Sequence, residues 1–160
     1  MFLKVNELNT VINLKNITNI KIDKINNRII FNFNYSKNLT CINKNTLKPY
    51  TKIISDYCYY DFKSEKDMTD FKQTLMQNSY IKDNFIDLEE FSQSSSIVNR
   101  NHIASIKYEH ESRVILAFDN SVSFQDVKNN VRTTSDFIYI DFDDKDQCSN
   151  FIENLESRLF

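Results

Sequence analysis

The octapeptide SDYCYYDF at residues 55–62 returns eighty residues later as SDFIYIDF at residues 135–142. Five of the eight positions are identical, and the other three exchange apolar or aromatic residues. A chain that carries one segment twice in this way reads as a tandem duplication. Any fold proposed for residues 1–80 must then also suit residues 84–160. The alignment extends outward from the octapeptide. FLKVNEL at 2–8 matches FIDLEEF at 85–91, VINLKNITNIKI at 11–22 matches IVNRNHIASIKY at 97–108, and RIIFNFNYS at 28–36 matches RVILAFDNS at 113–121. Separate halves of about 80 residues would each bury only roughly 60% of their surface. The expectation is therefore one pseudo-symmetric body.

The periodicity of each copy is that of strands followed by one helix. Residues 2–8 and 85–91 alternate apolar and polar, as half-buried strands do. Residues 11–22 and 97–108 read as a short strand, a corner and a second strand. Ile29, Phe31 and Phe33, with Val114, Leu116 and Phe118, form a period-two apolar face. The next connection, 37–54 in the first copy and 122–134 in the second, reads as a loop, with Pro49 in one and Asn129-Asn130 as a turn in the other. After the octapeptide, Ser64 with Asp67 and Asp144 with Gln147 are helix-start signals. Met68, Phe71 and Leu75, and Cys148, Phe151, Ile152, Leu155 and Leu159, then recur at helical spacing. Residues 77–84 read as a linker. The expected fold class is α+β: two copies of an antiparallel sheet of four to five strands, each closed by one C-terminal helix.

Composition excludes several chemistries. There is no glycine, so a P-loop, a dinucleotide-binding turn and a glycine-flanked nucleophile elbow are all ruled out. Asparagine, at 21 residues, is expected at left-handed turn positions instead. The wealth of Asn, Lys, Ile, Phe and Tyr beside two alanines reflects an AT-rich genome. Cys41, Cys58 and Cys148 lack metal-ligand spacing and read as free thiols. His102 and His110 have no ligand partner at a suitable spacing. Asp141, Asp143, Asp144 and Asp146 lack the glycine and terminal glutamate of a calcium loop, and Asp144 serves better as a cap. No cofactor or metal is expected, and the chain reads as non-enzymatic. Without an apolar run of about 18 residues or a leader-like N-terminus, it reads as cytoplasmic and not membrane-bound.

The octapeptides also carry the candidate site. Cys58, Tyr60 and Phe62, with Ile138, Ile140 and Phe142, are expected to face the core. Tyr57, Tyr59 and Asp61, with Phe137, Tyr139 and Asp141, then face outward. Such a face is explained by packing between the copies, by a docking surface for another protein or a second copy, or by stacking of unpaired bases beside Lys21, Asn32 and Lys107. Asp61 and Asp141 are expected to bond backbone or the shared Arg28 and Arg113. Residues 1–55 hold 9 Lys/Arg against 2 Asp/Glu, and residues 56–160 hold 11 against 20. A basic first half meets phosphates, an acidic partner, or the acidic half of a neighbouring copy. Lys44, Lys48 and Tyr50 mark its densest basic–aromatic stretch. The twice-present sheet with its closing helix resembles the topology of the whirly and PUR-repeat families, which implies single-stranded nucleic-acid binding. The segment YDFKSEKDMTDFKQTL at residues 60–75 resembles the closing elements of pleckstrin-homology-like domains, the alternative fold. The functional expectation is a protein-interaction or scaffold module, with nucleic-acid binding as the second reading.

Overall fold

A computed structural model describes residues 2–5, 10–42, 47–110, 112–125 and 131–159. The chain begins with β1 (Phe2–Val5), β2 (Thr10–Asn13), a 3₁₀ turn (Leu14–Asn16) and β3 (Ile17–Asp23). Next come β4 (Arg28–Ile42), β5 (Pro49–Asp61) and the helix α1 (Glu65–Met76). A short helix α2 (Ser79–Asn84) follows. The same order then recurs as β6 (Phe85–Asp87), β7 (Ser96–Asn99), a 3₁₀ turn (Arg100–His102), β8 (Ile103–Glu109), β9 (Arg113–Gln125), β10 (Val131–Asp141) and α3 (Lys145–Leu159). The fold is α+β, and every described strand pairing is antiparallel.

The sheets do not follow the halves of the sequence. One sheet runs β5-β4-β3-β7-β6, a second runs β10-β9-β8, and β1-β2 stand as a hairpin. The hairpin β6–β7 is thus built onto β3, with Asn19 opposite Val98, Ile20 opposite Ile97 and Lys21 opposite Ser96. The Ile22 amide extends the seam by donating to the Ser95 carbonyl at 2.8 Å.

Two cores form where alternation predicts them. Ile29 and Phe31 on β4 meet Ile20 and Ile22 on β3 beneath Met68 and Leu75 of α1. Val114, Leu116 and Phe118 on β9 meet Ile140 beneath Cys148, Phe151 and Leu155 of α3. Each such side chain contributes roughly 1.5–3 kcal/mol by leaving water. Phe62 and Phe142, just ahead of the helices, pack on Phe71 and Phe151 at ring distances of 5.3 and 5.1 Å. The helix starts are as expected. Ser64 Oγ accepts the Asp67 amide at 3.1 Å, and Asp144 Oδ1 accepts the Gln147 amide at 2.8 Å.

Four details differ from the sequence reading. Residues 77–84 are not a plain linker. The Asn78 side chain accepts the Tyr80 and Ile81 amides and starts α2, whose Ile81 is fully buried. Residues 88–90 are a 3₁₀ turn and not strand, because the Asp87 side chain caps it by accepting the Glu89 amide. The segment 37–54 is no loop. Strands β4 and β5 continue as a hairpin arm in which Ser36 opposes Ser55 and Ile42 opposes Pro49. Pro49 opens β5, a position where its missing N–H is tolerated. The second connection shortens likewise to residues 126–130 between β9 and β10, and the Asn129-Asn130 turn lies outside the described residues. Among the described residues the left-handed positions are Asn27, Leu47 and His110, so asparagine takes one of the three.

Candidate interaction face

Cross-strand register decides what the outer faces carry. On the first sheet Asp61 opposes Arg28, Tyr59 opposes Ile30, and Tyr57 opposes Asn32. One strand further in, Lys21 lies opposite Ile30 and Asn19 opposite Asn32. On the second sheet Asp141 opposes Arg113, Tyr139 opposes Ile115 and Phe137 opposes Ala117, and Lys107 lies opposite Ile115. Lys21, Asn32, Tyr57 and Tyr59 therefore share one face, and Lys107, Phe137 and Tyr139 share another.

These faces are open. Tyr57, Tyr59, Phe137 and Tyr139 are between 36% and 50% exposed. The halves pack through the β3–β7 seam and through the hairpin arms, so the aromatic faces do not serve as their mutual interface. At the arms, Asn120 Nδ2 donates to Ser55 Oγ at 2.7 Å, and Ser55 Oγ donates to Asp136 at 2.5 Å. Ser123 Oγ accepts the Ile53 amide at 2.5 Å. His102 bridges the corners, with Nδ1 at 2.7 Å from Asp119 and Nε2 at 2.7 Å from the Lys15 carbonyl.

Each tyrosine carries a cation. The Arg28 guanidinium lies 4.0 Å from the Tyr59 ring centre while Nη2 donates to Asp61 at 3.0 Å. Arg113 lies 5.1 Å from the Tyr139 ring and bonds Asp141 and Glu109. Lys37 lies 5.0 Å from the Tyr57 ring and pairs with Asp56. Hydrogen bonding from Arg28 holds the Asp61 carboxyl below its ordinary value, and the same bond raises Arg28. Tyr57 and Tyr59 stack at 6.5 Å, and Phe137 meets Tyr139 edge-on at 5.0 Å.

Between the two faces runs a groove of about 450 Å³. Its lining includes Lys21, Asn32, Phe137 and Tyr139, together with Ser95 and Ser96. The structure thus brings four sequence-predicted residues into one concavity. Lys48 and Tyr50 are not part of it. Tyr50 stands opposite Cys41 on the arm, roughly 20 Å along β5 from Tyr57 at a rise of about 3.3 Å per residue. Lys44 lies outside the described residues. Sequence reasoning paired Arg28 with Asp61 and Arg113 with Asp141, but missed that the guanidinium groups cover the tyrosines. The signal was there, since both members of each pair recur in the alignment. No sequence signal pointed to Ser95 and Ser96, which line the same groove.

The chemistry elsewhere is sparse. The described residues contain no group of three His, Cys, Asp or Glu side chains placed to hold a metal ion. No described helix is long and apolar enough to cross a membrane. Lys72 bonds Asp87 at 2.7 Å and Glu89 at 2.6 Å beside α1, and Lys24 joins Glu89. Burial pulls Lys72 down, but its two carboxylate partners outweigh this and leave it raised. The hydrogen bonds from Lys24 and Lys72 lower Glu89. Comparison with known proteins found no family model, curated protein or solved structure that matches the chain.

Proposed function

We propose that this chain is a non-enzymatic, internally duplicated interaction module that docks a partner protein on its two aromatic–arginine faces. The observation that carries the reading is the stacking of Arg28 on Tyr59 and of Arg113 on Tyr139, each guanidinium also held by a carboxylate. Tyrosine and arginine are the residues that most often anchor protein interfaces. Side chains already held in place lose less freedom on docking. The recurrence of strand order, register and ion pair in the two halves supports the duplication. A photo-crosslinking residue in place of Tyr59 or Tyr139, introduced in the producing cell, tests the proposal. A discrete protein adduct is expected from both positions, and none from Ser149 on the exposed side of α3. Absence of adducts from both faces overturns it.

The groove lined by Lys21, Asn32, Phe137 and Tyr139 favours a second reading, capture of single-stranded nucleic acid by stacking. The ion pairs argue against it, because Asp61 and Asp141 neutralise the arginines a phosphate would need. Fluorescence titration with short single strands separates the two readings. The first expects no binding at low salt. Binding that weakens steeply with salt and disappears in Tyr139→Ala establishes the second.

A further inference from the structure

The β3–β7 seam is an internal template for a contact that the second half leaves unmade. Strand β8 repeats β3 closely. Ile20 opposes Phe31 as Ile106 opposes Leu116, Ile22 opposes Ile29 as Tyr108 opposes Val114, and the register shift falls at the same place, after Ile17 and after Ile103. β3 is covered on its outer edge by β7, whereas β8 is the edge of its sheet. Thr18, Ile20 and Ile22 are accordingly buried, and Ala104, Ile106 and Tyr108 are open or half-open. The Ile22 amide is satisfied by Ser95 across the seam. Because the registers agree, the Tyr108 amide points to an edge on which none of the described strands lies.

The complementary half of the template stands free at the other end of the chain. The pairs Phe2–Asn13, Leu3–Ile12 and Lys4–Val11 repeat Phe85–Asn99, Ile86–Val98 and Asp87–Ile97. In β6–β7, Ile86 and Val98 pack into the second core, while Phe85 and Ile97 cross into the first. In β1–β2, Ile12 and Leu3 sit on the first core in the same way. The residues that would cross have nowhere to go: Phe2 is 67% and Val11 60% exposed, against 6% for Phe85 and 0% for Ile97. This hairpin is already seated on its own core, and β8 of the same chain does not meet its free face. A receiving edge must therefore come from another molecule.

We propose that β8 receives the β1–β2 hairpin of a second copy of this chain, so that copies join head to tail. Strand addition supplies backbone hydrogen bonds, and Phe2 and Val11 enter a groove of about 410 Å³ between β8 and α3 that includes Ile106, Tyr108, Glu156 and Leu159. Charge agrees at two scales. The hairpin carries Lys4 where β6 carries Asp87, and the receiving groove carries Glu156 of α3, a charge opposite to that of Lys4. The donor comes from the basic first half of the chain and the acceptor from the acidic second half. Donor and acceptor are different surfaces, so the contact is heterologous, and each copy keeps one free end unless a ring closes. None of these residues belongs to the aromatic faces, so this inference stands or falls apart from the proposed docking function.

Sedimentation of the intact chain over a range of concentrations tests it, with two variants. Val11→Asp charges the exposed donor residue without touching either core. Tyr108→Pro removes the outward amide of an edge strand, a place where proline is tolerated. Wild type is expected to rise above its 19.0 kDa mass with concentration. Each variant alone should stay monomeric, with an unchanged circular dichroism spectrum. The two variants mixed should form a species of twice the mass, because one keeps an intact acceptor and the other an intact donor. Phe2→Asp serves as a second donor variant. A wild type that stays monomeric at its solubility limit overturns the proposal. So does an assembly that survives both variants, or a mixture that remains monomeric.

Discussion

Strands β3 and β8 differ in their neighbours far more than in themselves. They share the Ile-x-x-Ile-Lys pattern, the partner register and the irregularity after the first residue. Yet one is buried along almost its whole length and the other is half open. Burial at these positions follows from which strand lies alongside and not from the local sequence. Alternation along a strand reports which side chains share a face. It is silent on whether the strand is an edge.

The sharpest way to break this comparison is to truncate the same residue in both strands. Ile20→Ala removes a fully buried side chain and is expected to cost about 3 kcal/mol, within the usual range for such truncations. Ile106→Ala removes a half-covered one and should cost about half as much in a monomeric sample. Chemical denaturation of the two variants measures the difference. Equal costs would mean that β8 is covered in solution. A smaller effect is expected from the ion cluster at the β6 side of the seam. Lys72→Ala leaves Asp87 nearly buried without its cation, and a loss of about 2 kcal/mol at neutral pH follows.

The same cluster gives the seam a pH dependence. The carboxyl of Glu89 sits below its ordinary value in the folded chain through its bonds to Lys24 and Lys72. Its stabilising contribution is therefore fully present above the ordinary glutamate value and fades as pH falls through the lowered one. Denaturation midpoints should decline on acidification below about pH 4, and Glu89→Gln should flatten part of that decline. The smallest effect sets the two halves equal. Ser64→Ala and Asp144→Ala remove the corresponding helix caps and should each cost about 1 kcal/mol. A large inequality between them would show that the two helices do not carry the same load.

Much of the face assignment was legible beforehand. Ile29 and Phe31, and Val114, Leu116 and Phe118, alternate cleanly because one side of each strand is dry. Arg28 with Asp61 and Arg113 with Asp141 announced themselves by recurring. The hairpin arms were illegible for the opposite reason. Residues 35–40 are exposed along the whole run, so no alternation betrays a strand there. Helix α2 has six residues, too few for a helical period to show. The joining of β7 to β3 could not be read at all, since Ile20 and Lys21 are matched by Ile106 and Lys107, and the sequence offers two docking strands of the same pattern.

The placement of β7 also orders events in time. Val98 reaches Asn19 only after the chain has grown about 80 residues beyond it, and closing so large a loop is entropically costly. During synthesis Ile20 and Ile22 must wait with one edge open until the β6–β7 hairpin emerges, several seconds later at ordinary elongation rates. Through that interval β3 offers a nascent chain the same open edge that β8 keeps in the finished protein, and a neighbouring chain can reach it first.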